Sequence, residues 1–317
     1  MKKYDVTSLG EILIDFTYHS ISENGASLFE QNPGGAPANL LAAVQKLGGK
    51  TAFIGKVGND MHGLFLKDVV EKAGISTEGM LIDDNYFTTL AFVNLTPSGE
   101  RNFSFARKPG ADTQISKDDI NYNLIKDSKI FHVGSLSMTD EPACTATFEA
   151  LEFAKKNNII VSYDPNYRKM LWKDEETAIK GMRSILEYVD IIKISDEEIR
   201  LLTDTDNPKD AAKELMEKGI DCVIVTLGSK GAYIATRDAD VTSPCPDGKV
   251  VDTTGAGDSF MGAFLYKMSQ DNKKPSELTR DDIPEYSEFA NKVATIVVGR
   301  RGAINAMPSI DEVINFK

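Results

Sequence analysis

The stretch Asp252-Thr253-Thr254-Gly255-Ala256-Gly257-Asp258, followed by SFMGAFLYKM at 259–268, sets small residues and a carboxylate where a turn opens a helix. Apolar groups at Phe260, Met261, Phe264, Leu265 and Met268 recur at helical spacing, which predicts a helix with its apolar stripe turned to a core. Gly255, Ala256 and Gly257 then stand at its N-terminus. There the first backbone N–H groups lack intrahelical partners, and the aligned peptide dipoles add about half a positive charge. A phosphate is drawn to such a spot, and side chains larger than a methyl would block its approach. Asp258, in the first turn, projects a carboxylate beside that phosphate, where it can take the proton of a substrate hydroxyl. Read alone, the stretch is equally a capped helix whose glycines serve tight packing.

Working outward, short β-branched runs at 4–9, 51–57, 129–133, 159–164, 191–195 and 222–226 read as buried strands. Amphipathic segments at 38–47, 64–73, 145–155 and 209–218 lie between them. This alternation predicts a three-layer α/β fold, a mainly parallel sheet with helices on both faces, over a single domain spanning 1–317. Two regions depart from it. Residues 12–29 and 87–105 carry period-two polarity, and the second region turns at Thr96-Pro97-Ser98-Gly99. They predict a small β-sheet, built from about 12–33 and 86–110, that covers the carboxyl edge of the main sheet as a lid.

Composition narrows the function classes. Hydrophobic residues at 41% and charged residues at 26% are ordinary for a soluble globular chain. No run approaches the roughly 18 apolar residues of a membrane span, and the N-terminus lacks a signal peptide's apolar core, so a cytoplasmic address is expected. Cys144, Cys222 and Cys245 give neither a disulfide framework nor a zinc spacing. His19, His62 and His132 are equally scattered, which disfavours a zinc hydrolase or a histidine-based triad. A net charge of −12 argues against nucleic-acid partners.

Pro33-Gly34-Gly35-Ala36-Pro37-Ala38-Asn39 precedes a helix; its glycines permit close ligand approach, and Asn39 offers a donor and an acceptor to a polyol. Gly58-Asn59-Asp60-Met61-His62-Gly63 reads as a supporting turn. Two resemblances to nucleotide motifs fail. Gly49-Lys50-Thr51 has Val44 where a P-loop needs its leading glycine, and the Gly255/Gly257 pair has Phe260 where the dinucleotide fingerprint needs glycine. A Rossmann oxidoreductase is thereby disfavoured.

Gly34, Gly35 and Asn39 near the start and Asp252 to Asp258 near the end together resemble the ribokinase-like family of carbohydrate kinases, also called the phosphofructokinase-B family, over essentially the whole chain. Within it, Gly10-Glu11-Ile12-Leu13-Ile14-Asp15-Phe16, Arg107-Lys108-Pro109-Gly110-Ala111-Asp112, the run from Asp164 to Trp172 (DPNYRKMLW) and Ser195-Asp196-Glu197-Glu198 look like fructokinases. The rival branch is 2-keto-3-deoxygluconate kinase, which shares arginines such as Arg107 and Arg168. Asp15 suits a neutral sugar, because a carboxylate accepts hydroxyls and repels an acid sugar.

The resemblance implies a ribokinase-like fold and transfer of the ATP γ-phosphate to the 6-hydroxyl of fructose. It casts Asp258 as general base and Gly255, Ala256 and Gly257 as the anion hole. Asp15, Gly34, Gly35, Asn39, Phe105, Arg107 and Arg168 would hold the sugar. Lys193, Glu198, Thr226, Gly228, Gly231 and Asn291 would hold the nucleotide, together with Gly255 and Gly257. Glu198 would reach Mg²⁺ through water, although Ser195 replaces the asparagine of the family's Asn-x-x-Glu motif. Asp252, Thr254 and Gly302 would surround K⁺. A homodimer through the lid is expected. A catalytically silent, kinase-like binding protein is the reading from a different class.

Overall fold

The computed structural model describes residues 2–95 and 101–316. Among the described residues there are thirteen strands, most of those in the main sheet separated by helices. They are β1 (Tyr4–Leu9), β2 (Leu13–Ile21), β3 (Ser27–Gly34), β4 (Thr51–Gly58), β5 (Ser76–Asp83), β6 (Leu90–Leu95) and β7 (Arg101–Ala106). There follow β8 (Ser128–Gly134), β9 (Ile160–Asp164), β10 (Ile191–Ser195), β11 (Cys222–Thr226), β12 (Ala232–Thr236) and β13 (Asp240–Ser243).

The main sheet has nine strands in the order β13-β12-β11-β10-β9-β8-β1-β4-β5. It is parallel from β11 through to β5 and closes with antiparallel β12 and β13 at one edge. Successive side chains enter opposite cores. Ile191, Cys222 and Ile224 face one cluster, while Ile192, Val223 and Val225 face the other. Burial on both faces explains why these strands read as mainly apolar runs instead of alternating ones. The helices Ala36–Lys46, Ala256–Gln270 and Asp282–Val298 cover the first face, and Ala143–Lys156, Glu175–Ser184 and Pro208–Glu217 the second.

All six strands expected from the sequence are present, to within a residue at each end. The sequence reading lacks β5, β12 and β13. In β5 polar and apolar residues mix (STEGMLID), and β13 is short and half exposed, so neither shows a buried-strand run.

The small sheet runs β3-β2-β6-β7. β2 pairs antiparallel with β3 and parallel with β6, and β6 pairs antiparallel with β7. The turn expected at Thr96 to Gly99 lies outside the described residues. Asp60 caps the helix Met61–Lys72 by accepting the His62 and Gly63 N–H groups, and it also accepts the Thr88 N–H at 2.8 Å. That turn therefore supports the approach to β6.

Candidate active site

Two helix N-termini meet beyond the carboxyl ends of the parallel strands, and one glycine sets their distance. Gly262 lies where Ala256–Gln270 crosses Ala36–Lys46; a Cβ there would stand 2.7 Å from the Leu40 carbonyl oxygen and 2.9 Å from the Ala43 Cβ. Backbones packed this closely bring the first turns side by side. Asn39 Nδ2 therefore donates to Asp258 Oδ2 at 2.8 Å across 219 residues of chain.

Gly255 caps the second helix at φ 77°, a left-handed conformation that glycine adopts without strain. A Cβ on Gly255 would approach the Ala303 Cβ to 2.9 Å, and one on Gly257 would approach the Lys193 Nζ to 2.9 Å. The bare backbone is thus wedged between the 303 loop and a lysine. Asp258 is 8% exposed and accepts a second hydrogen bond, from Asn166 Nδ2 to Oδ1, at 3.2 Å. Asn166 reaches it from a left-handed backbone at φ 47°, which asparagine tolerates better than most residues.

Behind Asp258 lies a buried ion pair, Lys193 Nζ to Asp164 Oδ2 at 2.6 Å. Burial, then the neighbouring Asp164 charge, pushes the Asp258 carboxyl up to about 6, against the pull of Lys193, Asn39 and Arg168. Burial disfavours the Lys193 ammonium, but Asp164, Glu198 and Asp258 outweigh it and its pKa rises. Deeper in the sheet, burial and the Lys193 charge hold His132 down to about 3, so its ring stays neutral against Ser162. The arrangement combines a carboxylate able to take a proton near neutral pH with a fixed cation and a helix N-terminus, a set suited to moving a phosphoryl group onto an alcohol.

These groups line a cleft of about 690 Å³. Of the residues singled out in the sequence, Asp15, Gly35, Asn39, Phe105, Arg168, Lys193, Asp252, Thr254, Gly255, Ala256, Gly257, Asp258 and Gly302 line it. Gly34 lies behind Asp15, whose Oδ2 is 2.5 Å from where a Cβ on Gly34 would be. Asp252 Oδ1 accepts the Thr254 N–H and hydroxyl, and Oδ2 accepts the Gly302 N–H at 3.2 Å, so these three residues form one knot at the cleft wall.

Other expected residues stand away from the cleft. Arg107 is buried behind its wall, donating to Asp112 Oδ2 at 2.8 Å, the Leu136 carbonyl at 2.8 Å and the Thr139 hydroxyl at 2.8 Å. It braces Leu136, which does line the cleft. Glu198 accepts the Tyr167 N–H at 2.7 Å and the Ser195 N–H at 2.8 Å, tying the loops after β9 and β10 together. Thr226 donates to the Ile194 carbonyl at 3.3 Å. The Gly228 Cβ position faces open space, whereas at Gly231 it would meet the Ser243 oxygen at 2.0 Å. Asn291 donates to Ser243 and to the Pro244 carbonyl, fixing the segment after β13. Glu11, Asp164 and Asn166 join the site without any expectation from the sequence. Each sat inside a quoted motif, and only its contact across the fold distinguishes it.

The model of the pfkB family of carbohydrate kinases matches residues 3–310. The chain is a pfkB family carbohydrate kinase. It is 43% identical over 310 residues to probable fructokinase-5 of Arabidopsis thaliana, covering 96% of this chain and 94% of that one. The pfkB fold is shared with a fructokinase with bound ATP from Xylella fastidiosa, at TM-score 0.90 and 34% identity, over 100% of this chain and 98% of that one. A fructokinase from Vibrio cholerae O395, in its fructose, ADP and calcium ion bound form, matches at TM-score 0.88 and 30% identity, covering 99% of each chain. Among the described residues of this pfkB kinase, no helix is long and apolar enough to cross a membrane.

Proposed function

We infer that this protein is an ATP-dependent fructokinase, a phosphotransferase with an alcohol group as acceptor. The observation that carries the site assignment is Asp258: a buried carboxyl pushed up to about 6 by its surroundings, at the head of a glycine-opened helix, hydrogen-bonded to Asn39 and lining one cleft with Asp15. The named relatives support fructose as acceptor and ATP as donor.

In this reading Asp258 takes the proton of the C6 hydroxyl as that oxygen forms a bond to the γ-phosphorus. The bond from that phosphorus to the β,γ-bridging oxygen breaks, and ADP leaves with the electron pair. The Gly255 to Gly257 backbone and Lys193 offset the charge spreading over the transferring group. Asp15, Gly35 and Asn39 hold the sugar, with Phe105 and Arg168 on the cleft wall, and the small sheet serves as lid. Thr226, Gly228, Gly231 and Asn291 shape the nucleotide side, and Arg107 acts from behind the wall instead of on the sugar.

Among the described residues no group of three or more His, Cys, Asp or Glu could hold a metal ion. Mg²⁺ needs no such cage, because it travels on nucleotide phosphates and takes one or two carboxylates. Asp164 Oδ1, buried with no hydrogen-bond partner, fits that need, with Glu198 behind it. Bound there, Mg²⁺ would neutralise phosphate charge. Asp252, Thr254 and Gly302, knotted at the cleft wall through the Asp252 carboxylate, are the residues that would lie beside K⁺. The small sheet exposes Phe29 and Phe92, in edge-to-face contact with each other, an apolar patch fitted to a homodimer through the lid.

Fructose is favoured over an acid sugar by the named relatives and by Asp15, whose carboxylate lines the cleft and would repel an anion. The test is ADP release with fructose, ribose and 2-keto-3-deoxygluconate, with and without K⁺, on the wild type and Asp258→Asn. Turnover strongest with fructose and lost in the variant, with fructose binding kept, is expected. Near-normal turnover by the variant would remove Asp258 from its role.

A further inference from the structure

The helix Ala36–Lys46, which carries Asn39 and opens on the Gly34-Gly35 loop, has no cap of its own. Gly35 has no side chain to offer, the first turn holds no acid, and Pro37 has no N–H. The cap comes instead from 25 residues upstream, where Glu11 Oε1 accepts the Ala36 N–H at 3.1 Å.

Several features show that this contact is built into the site. Glu11 is 3% exposed and lines the cleft, and its other oxygen, Oε2, has no hydrogen-bond partner. Gly35 stands at φ 118°, where a Cβ would meet the Glu11 carbonyl oxygen at 2.6 Å and the Ile12 Cα at 2.9 Å. The glycine loop and the chain after β1 are therefore in backbone contact. Burial drives the Glu11 carboxyl up to about 7, with the Arg107 charge pulling it down and Asp112 pushing it up. A carboxyl so poised is held for its hydrogen-bonding shape, since a buried charge alone would be expensive.

We propose that Glu11 is a positioning residue for the acceptor sugar, its Oε1 locking the glycine loop and the first turn of Ala36–Lys46 so that Gly35 and Asn39 present a fixed surface to the sugar hydroxyls. The same helix turn delivers Asn39 to Asp258, so Glu11 couples sugar placement to the base without touching the transferring phosphate. Asn291, proposed above for the nucleotide side, is fastened separately, to the segment after β13.

The proposal rests on the fructokinase reading, and the experiment separates the two. Steady-state kinetics with fructose and ATP, and fructose titration calorimetry without nucleotide, are run on wild type, Glu11→Gln and Glu11→Asp. Gln keeps a carbonyl acceptor at full reach and drops the charge; Asp keeps the charge and shortens the reach by one methylene. The expected result is Gln within about twofold of wild type. Asp should raise the fructose KM and weaken fructose binding about tenfold, with the ATP KM within about twofold, as suits loss of one hydrogen bond worth roughly 1.4 kcal/mol. The reverse order would show that charge matters instead of the cap. A parallel rise of both KM values, or two silent variants, would reduce Glu11 to a structural residue or less. A wild type that fails to phosphorylate fructose would sink the activity itself.

Discussion

Asp258→Asn tests whether the fold holds its candidate base at a cost to its own stability. Both oxygens of Asp258 accept amide donors, from Asn39 at 2.8 Å and Asn166 at 3.2 Å. Even so, burial wins, and the carboxyl moves from its ordinary 3.8 to about 6. At 1.36 kcal/mol per pH unit, the ionised form therefore destabilises the folded state by about 3 kcal/mol. The sign follows from proton binding. A raised carboxyl binds its proton more tightly when folded, so the penalty is complete above about pH 7, shrinks as pH falls through 6, and vanishes below the unfolded value near 4.

The amide carries no charge to penalise, but its NH₂ faces one of the two asparagine donors, a loss that does not depend on pH. Comparing two pH values cancels that loss and the titration of every other group. Urea unfolding of wild type and variant at about pH 8 and about pH 5 should show the wild type gaining about 1.4 kcal/mol on the variant at the lower pH, roughly half of the whole effect. Stability curves that run parallel within about 0.5 kcal/mol would refute the reasoning, because the carboxylate would then be no worse off folded than unfolded.

If the ionised Asp258 is the base, kcat/KM for fructose should fall tenfold per pH unit below about 6. Asn39→Ala removes a hydrogen bond that favours the carboxylate, so the acid limb should move upward by about one pH unit in the kcat/KM profile; an unmoved limb would exclude Asn39 from that task. Light scattering should give the mass of two chains, and Phe29→Lys, on the exposed face of the small sheet, that of one. A wild-type mass of a single chain would remove the lid-mediated dimer.

Much of the fold was legible because it rests on local patterns. β1, β4, β8, β9, β10 and β11 are apolar enough to be buried on both faces, so they announce themselves without any partner. The small residues of Gly255 to Gly257 and the stripe from Phe260 to Met268 likewise mark a helix whose N-terminus must stay bare. Of the strands that escaped, β12 is wholly buried, whereas β5 and β13 have patterns that depend on a neighbour. β13 is short and half exposed, and β5 mixes polar and apolar residues.

The sequence by itself determined the strand and helix alternation, the glycine-opened helix and the family, since each is written in residues close together in the chain. Tertiary structure decided how those residues act. It committed Arg107 to Asp112 and Leu136, brought Asn166 to Asp258 across 92 residues, and set Glu11 on the Ala36 N–H. It also fixed the charge state of Asp258, because a carboxyl's proton affinity depends on the water it has lost and the charges beside it, and neither exists until the chain has folded.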